Sequence, residues 1–151
     1  MRLTNFICCE FAIQDIRTGG ISLINVFEQI SAVAFPAVVG RVTAVAMFER
    51  ELGEPENQPT RLEAHLNEQQ VLGLDAVANF QGQTRTKLLA EMQGVPVTAP
   101  GDLKFAIWAG DPMREVGSWT IKIEIVGAPR VDLFSAAAAP PPPDAPNPPS
   151  T

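Results

Sequence analysis

Apolar and polar side chains alternate at every second position in segment after segment of this chain. The clearest case is WTIKIEI at residues 119–125, and the same period recurs at residues 3–13, 38–48, 61–67 and 103–108. A two-residue period places every member of one set on the same face of a β-strand. Turns rich in glycine and proline separate these segments. We therefore predict an all-β fold, an antiparallel two-sheet sandwich that is immunoglobulin-like or similar.

The first two strands are expected to form a hairpin. Asp15 to Gly20 interrupts the alternation, and the Gly-Gly pair there can adopt the positive φ angles that a tight turn requires. Ile21 to Phe27 is apolar at nearly every position, which predicts a central strand covered on both faces or a very well-covered inner one. Residues 31–35 end at Pro36, whose missing N–H predicts an edge segment or a crossing between sheets.

Residues 84–93 admit two interpretations. Leu88 to Met92 are good helix formers, and Gly94 could end a helix. The alternation of apolar and charged side chains in the same segment, together with the strands predicted on both sides, favours a strand. We predict a strand over Thr84–Gln93, with the helix as the alternative.

The parity of each strand predicts which side chains line the core. A large apolar side chain contributes about 1.5–3 kcal/mol when it is buried, so alanine in place of Ile123 or Phe105 should threaten the fold. The predicted core residues are Ile7, Cys9, Phe11, Leu23, Val26, Val42, Ala44, Leu62, Leu66, Phe105, Ile107, Trp119, Ile121, Ile123 and Ile125.

The composition divides the chain into a domain and a tail. With 151 residues, 46% of them hydrophobic, the chain can fill one core of ordinary size. We expect residues 1–132 to form the β-sandwich domain and residues 133–151 to form an Ala/Pro-rich disordered tail that is a passive, solvated extension. The alternative role of the tail is a ligand for an aromatic groove, since Pro140–Pro143 and Pro146–Pro149 both have P-x-x-P spacing.

The charge balance and the cysteines restrict the partners and the compartment. Eleven Lys and Arg oppose 17 Asp and Glu, which gives a net charge of −6, and the basic residues are scattered. We therefore expect neither a nucleic acid nor a membrane as the partner. The first residues lack the pattern of an export signal, no apolar run is long enough to span a bilayer, and the adjacent Cys8 and Cys9 are not a disulfide framework. These observations predict a cytoplasmic protein.

Few residues could carry catalysis. His65 is the one histidine, and its strand neighbours Arg61 and Glu63 predict a solvated surface role rather than that of a general base. Cys8 and Cys9 lie in an apolar strand, where burial should raise the thiol pKa and make both poorly reactive. Two Cys and one His cannot supply the four ligands typical of zinc. We predict that the chain is not an enzyme, with no catalytic, cofactor-binding or metal-binding residue and no cofactor.

Aspartates and tryptophans near turns are weaker candidates. A calcium loop normally supplies several oxygen ligands close together, whereas the aspartates of this chain are single, so we interpret them as turn-forming residues. Trp108 and Trp119 flank the Gly110–Gly117 hairpin and could stack on a ligand, but core or cross-strand packing is the expected role. The aspartates in question are Asp15, Asp75, Asp102 and Asp111.

Three functions follow from these observations, and we favour the first. It is a non-enzymatic binding or scaffold module that presents strand edges or loops, chiefly Glu49–Pro59 and Gly110–Gly117, to a protein partner. The second is a ligand-binding sandwich or an enzyme linked to carbohydrate or calcium, which would need loop carboxylates such as Asp102, Asp111 and Glu115 to face each other across a pocket. The third is a subunit of a larger assembly, which would expose a large apolar patch. The sequence does not determine the oligomeric state.

The segment ICCEFAIQDIRTGGISLINVFEQI, followed by Phe35-Pro36 and by APGDLKFAIW at Ala99–Trp108, resembles a family of small uncharacterised bacterial proteins, a domain of unknown function. In that family a first strand with a Cys-containing run leads through a Gly turn to a strand like ISLINVF, and a late PG-plus-strand element precedes the final hairpin. The resemblance spans Leu3–Val126. It implies a compact β-sandwich in a bacterial cytoplasm with no assigned activity, so no catalytic residue is carried over. The tail departs from the family pattern.

Overall fold

The computed structural model describes residues 1–127 of the chain. Within that range it contains nine β-strands and no helix, which confirms the predicted all-β class. The predicted tail at residues 133–151 and the end of the predicted domain, residues 128–132, lie outside the described residues. The strands are β1 (Arg2–Gln14), β2 (Ile21–Val26), β3 (Gln29–Ala32), β4 (Ala37–Glu49), β5 (Asn57–Leu66), β6 (Gln69–Asn79), β7 (Arg85–Val97), β8 (Gly101–Ala109) and β9 (Arg114–Ile125).

The strands form two sheets that pack face to face. The strand order is β2-β1-β4-β7 in the four-stranded sheet and β3-β9-β8-β5-β6 in the five-stranded sheet. Neighbouring strands run antiparallel, except that β3 and β9 are parallel. The predicted two-sheet sandwich is confirmed.

Two uncertain segments of the sequence are decided by this topology. Residues 85–93 of the predicted segment Thr84–Gln93 belong to β7, which pairs with β4 along its whole length, so the strand prediction is confirmed over the helix. The segment that ends at Pro36 leaves the edge strand β3 and crosses to β4 in the other sheet, as the missing N–H of that proline predicts.

The core lies between the two sheets. Trp119 is partly buried against it and Leu23 is half-buried, whereas Ile125 is 60% exposed because it is the last residue of β9, at the margin of the sandwich. Placing Ile125 in the core was therefore wrong. The predicted core residues that are buried there are Val42, Ala44, Leu62, Leu66, Phe105, Ile107, Ile121 and Ile123.

One β-bulge explains the wrong core assignment in β1. Between Leu3 and Asn5 the register with β4 shifts, because β1 carries one extra residue there. The bulge reverses the alternation, so Phe6 and Cys8 face the core. The residues of opposite parity that were predicted to line the core lie outside this cluster, and they are Ile7, Cys9 and Phe11. Cys9 is nevertheless fully buried, as predicted, but on the outer side of β1.

The second strand is an edge strand rather than the predicted central or inner one. Within the described residues β2 pairs only with β1. Val26, a predicted core residue, is 43% exposed at its end. A sequence that is apolar on both faces usually indicates cover on both faces, but the sandwich leaves one face of this strand open.

Candidate interaction surface

The β1–β2 hairpin, residues 9–26, extends beyond the part of β1 that pairs with β4. Residues 2–9 of β1 pair with β4, whereas residues 9–14 pair with β2, and Cys9 pairs with both strands. The second half of β1 is therefore paired with β2 alone. A strand shared in this way lets the hairpin follow its own direction beyond Cys9.

The turn of the hairpin lies where the sequence predicts it, with a positive φ at Gly19 but not at Gly20. Asp15 N–H donates to the Gly20 carbonyl at 2.9 Å, and Gly19, with a φ of +67°, donates to the Asp15 carbonyl at 2.8 Å. The Asp15 carboxylate accepts hydrogen bonds from the Arg17 N–H at 2.8 Å and from the Thr18 hydroxyl at 2.9 Å. These donors, with the Arg17 N–H first, lower the pKa of Asp15. Asp15 is thus a turn-forming residue, as expected.

The hairpin bends back over the outer face of the four-stranded sheet. The Lys87 ammonium of β7 donates to the Gly19 carbonyl at the tip, and the Thr43 hydroxyl of β4 donates to the Glu10 carbonyl at 3.1 Å. Both donors lie on the outer face, because the neighbouring residues in their strands face the core. Thr43 is only 5% exposed and Cys9 is fully buried at the hairpin base.

The two thiols behave as predicted for structural cysteines. Cys8 and Cys9 are both free and both buried. Burial is the largest cause that raises the pKa of each thiol, and for Cys8 the neighbouring Cys9 raises it further. A thiol with a raised pKa holds little nucleophilic thiolate at neutral pH. Neither residue is suited to be a catalytic nucleophile in this state.

Large apolar side chains are exposed on the hairpin. Phe11 and Ile24 are cross-strand partners at 38% and 42% exposure, and the Arg41 guanidinium lies 4.6 Å from the centre of the Phe11 ring. Ile16 in the turn is 97% exposed. We define the exposed hairpin face by four residues, which are Phe11, Ile13, Ile24 and Val26. An apolar centre with charged groups at its margin is the usual anatomy of a protein interface.

The free edge of β2 lies beside this face. Its sequence, ISLINV, contains no charged residue and no proline. By contrast, the edge strand β7 carries Lys87, Glu91 and Pro96, and the edge strand β6 carries Asp75. Charges and prolines on an edge discourage pairing with another chain. β2 is therefore the longest edge of the described strands that lacks this protection.

A second surface lies on the outer face of the five-stranded sheet. It is a cleft of about 580 Å³, and it holds Asp102 and Glu115 but not Asp111 among the carboxylates predicted for an enzyme. Glu115 pairs with Trp108, six residues along β8 from Asp102, so the backbone positions of the two acids are about 20 Å apart, more than their side chains can bridge. Glycoside hydrolases need their two carboxyl groups within about 5–9.5 Å. The cleft does not bring these carboxylates into such a pair.

The other polar candidates bind one another on this face. Arg61 donates to Glu63 at 2.7 Å and to Asp75 at 3.1 Å, and the His65 ring nitrogen lies 3.0 Å from Glu63. The hydrogen bond from Arg61 is the main cause that lowers the pKa of Glu63. Among residues 1–127, no three His, Cys, Asp or Glu side chains converge as metal ligands would.

The two loops predicted as contact surfaces are shorter than their sequence suggests. Residues 50–56 join β4 to β5, with Leu52 87% exposed, and residues 110–113 join β8 to β9.

Of the two tryptophans, Trp119 packs partly against the core. Trp108 lines the cleft of the five-stranded sheet, and its indole nitrogen is buried without a hydrogen-bond partner in the described part of the chain.

The sequence did not single out the exposed apolar face of this hairpin. The available signal was that residues 6–13 and 21–27 are apolar at both parities, which is more than a strand with one buried face requires. For Ile21–Phe27 we took this excess as a sign of a central strand covered on both faces or a very well-covered inner one. In the structure, several of these apolar side chains are exposed on the hairpin instead of buried.

Comparison with known families gives one match. The sequence profile of a family of unknown function, DUF6941, matches residues 4–124. The chain belongs to this family. The DUF6941 match runs from β1 to β9 and therefore includes the hairpin. It confirms the coarser part of the resemblance, a domain of unknown function with a β-sandwich-like fold. No curated protein matches the DUF6941 chain. Among its described residues, no helix is long and apolar enough to cross a membrane.

Proposed function

We propose that this domain is a non-enzymatic protein-binding module whose contact surface is the exposed hairpin face and the free edge of β2. The observation that carries the proposal is the exposure of Phe11, Ile13, Ile24 and Val26 at 38%, 57%, 42% and 43% on one hairpin. Exposed apolar side chains that are contiguous commonly mark interaction sites, whereas single ones do not. The loops favoured from the sequence present fewer such side chains, chiefly Leu52 and Met113.

The binding mode that fits this surface is the addition of a strand. An extended segment of a partner can form main-chain hydrogen bonds along the free edge of β2. Alternate side chains of that segment then lie beside Ile24 and Val26, which lie opposite Phe11 and Cys9. The backbone supplies affinity and the apolar side chains supply specificity.

The charges near the hairpin indicate what should flank the apolar segment. Residues 10–28 contain the acids Glu10, Asp15 and Glu28 against the single base Arg17, and the whole chain has a net charge of −6. Two bases from other strands also contact the hairpin, but Arg41 is paired with Glu91 and Lys87 lies at the tip, away from the free edge of β2. Complementary charges favour a partner with basic residues beside its apolar core. A second copy of this chain would bring the same acids together. We therefore propose a different protein with an apolar, basic-flanked strand, such as a neighbouring subunit in a larger assembly.

Peptide binding tests this proposal. Two labelled peptides share a core of alternating valine and threonine, one with lysines at both ends and one with glutamates, and fluorescence anisotropy measures their dissociation constants. We expect the lysine-flanked peptide to bind more tightly. Ile24→Lys should weaken that binding by about tenfold or more, because it removes an apolar contact and adds a like charge.

Matched variants and the oligomeric state complete the test. Leu52→Lys changes an equally apolar residue that is 87% exposed on a distant loop, and it should leave binding unchanged. Equal effects of the two lysine variants would contradict the proposal. So would a dimer in sedimentation experiments that Ile24→Lys dissociates, since that result would assign the face to a second copy of the chain.

We propose a bacterial cytoplasm as the setting of this module. The family resemblance supports this, and so do two free cysteines, since disulfides are rare in reducing compartments. Fractionation of bacteria that produce the full chain should recover it with cytoplasmic markers. Recovery in a periplasmic or membrane fraction would contradict the assignment.

A further inference from the structure

We propose that the domain has a binding site for a phosphate-bearing small molecule, in a cleft beneath the tip of the hairpin. The cleft has a volume of about 800 Å³ and lies between the hairpin turn, the start of β1, the end of β4 and the connection from β6 to β7. None of the four residues of the exposed hairpin face lines this cleft.

The cleft is cationic although the chain is acidic. Arg2, Arg85 and Lys87 line it together with one carboxylate, Glu49, so three positive charges and one negative charge give a local sum of +2. The whole chain has a net charge of −6 and only 11 Lys and Arg. A concave surface lined by one sign of charge concentrates its potential and attracts the opposite ion. We name this group the cationic cleft.

The two arginines share a single carboxylate. Arg85 places two of its nitrogens 3.1 Å from one oxygen of Glu49, and Arg2 lies 2.5 Å from the other oxygen. The hydrogen bond from Arg2, followed by that from Arg85, lowers the pKa of Glu49. Each guanidinium has five N–H donors, so most of these donors are not used by Glu49. The arginine side chains are 76% and 79% exposed and are open to a ligand.

Neutral donors line the rest of the cleft. The amide side chains come from Asn79, the last residue of β6, and from Gln81 and Gln83 in the β6–β7 connection. The Thr86 hydroxyl also lines the cleft, but it already donates to the Asn79 carbonyl at 2.6 Å. Lys87 adds an ammonium that already donates to the Gly19 carbonyl. Guanidinium forks beside an ammonium and neutral donors match the three oxygens and two charges of a phosphate monoester. A ligand with a single carboxylate carries one negative charge and would balance only one of the two net positive charges of the cleft.

Titration with inorganic phosphate tests the site. Backbone amide spectra of the ¹⁵N-labelled full chain would be recorded at constant ionic strength, with sodium chloride replacing phosphate in the control series. We expect saturable shifts at residues 81–87 with phosphate and none with chloride. A phosphate monoester on a small organic group should bind more tightly than the free ion, because the cleft is larger than phosphate.

Three variants are expected to change phosphate binding in different directions. The double variant Arg85→Gln with Lys87→Gln should weaken phosphate binding by about tenfold or more, because two charge-assisted donors are lost. Glu49→Gln should strengthen it, because the competing carboxylate charge is removed. Lys122→Gln, which removes an exposed charge on β9 away from the cleft, should change nothing.

Three results would overturn the site. They are phosphate shifts that chloride reproduces, binding that the double glutamine variant leaves intact, and weaker binding in Glu49→Gln. None of them affects the hairpin proposal, which concerns peptide binding at residues that do not line the cleft.

Discussion

The indole N–H of Trp119 donates to the carbonyl oxygen of Phe27 at 2.6 Å and so joins β9 to the residue that follows β2. The N–H of the same Phe27 donates to the Cys8 carbonyl in β1 at 3.0 Å. One residue at the base of the hairpin is therefore tied to both sheets. These two bonds fix where the hairpin leaves the sandwich, although its tip is held by only a few side-chain contacts.

The two tryptophans provide a matched test of the Trp119 hydrogen bond. Trp119→Phe should lower the free energy of unfolding by about 1–2 kcal/mol, because the Phe27 carbonyl loses its indole donor. Trp108→Phe should have a smaller effect, because the indole nitrogen of Trp108 is buried without a partner among the described residues. Urea denaturation measures both values. If both variants lost the same unfolding free energy, the hydrogen bond of Trp119 would contribute nothing beyond the packing of its ring.

Core packing is tested by two apolar truncations. Phe105 in β8 is fully buried, and Phe105→Ala should lower the free energy of unfolding by about 3–5 kcal/mol through the cavity it leaves. Ile125→Ala should change it by less than about 0.5 kcal/mol, since Ile125 is 60% exposed. Thermal and urea unfolding measure the difference. A large loss in the Ile125 variant would place that residue in the core after all.

Gly101 is a position where only glycine fits. Its φ is +140°, and a Cβ added there would lie 1.8 Å from the Asn67 side-chain oxygen. That oxygen accepts from the Asp102 N–H at 3.1 Å, and the Asn67 amide donates to the Pro100 carbonyl at 3.1 Å. Gly101→Ala should therefore lower the free energy of unfolding by about 2–4 kcal/mol.

A control for this substitution is available in β4. Gly40→Ala meets no atom within 4 Å and has no positive φ, so its unfolding free energy should stay close to that of the parent. If Gly101→Ala were as stable as Gly40→Ala in urea, the close approach of Asn67 would be unimportant to the fold.

The Arg61–Glu63 pair should make stability depend on acidity. The hydrogen bond from Arg61 holds the pKa of Glu63 below its ordinary value in the folded state. A lowered pKa contributes stability above the unfolded-state pKa of about 4.3, and this contribution disappears as the pH falls through the lower, folded-state pKa. Glu63→Gln should therefore lose less stability than the parent between about pH 4.3 and more acidic values.

Urea unfolding at a series of acidic pH values measures this effect. Arg61→Gln should flatten the same part of the curve, because it removes the main cause of the shift. An unchanged acid slope in both variants would show that another group governs acid unfolding. The contribution of the pair is modest, since Arg61 is 39% exposed and water screens it.

Strand positions and fold class could be predicted from the sequence because they depend on local periodicity. The alternation in residues 119–125 is visible without any partner, and β9 confirms it. The face that each strand buries was less accessible. In β1, one extra residue near Thr4 reversed the face assigned to every later residue of the strand. No residue type in that stretch indicates a bulge.

The candidate sites were less predictable than the strands. The cationic cleft gathers Arg2, Glu49, Arg85 and Lys87 from three strands, and no spacing in the sequence relates them. Their proximity follows from the pairing of β1, β4 and β7. The exposed hairpin face had a visible signal, the excess of apolar residues in ISLINV, but burial and a binding surface require the same composition.

By itself, the sequence determined that this chain forms strands, where most of them begin and end, and that its cysteines are buried thiols. Those features follow from the two-residue period of side chains and from the local effects of glycine and proline. Tertiary structure alone decided that β2 lies at an edge, that the hairpin bends back to Lys87, and that cations from distant strands meet. The physical reason is that sheet order and register depend on contacts between residues far apart in the chain, which local patterns do not encode.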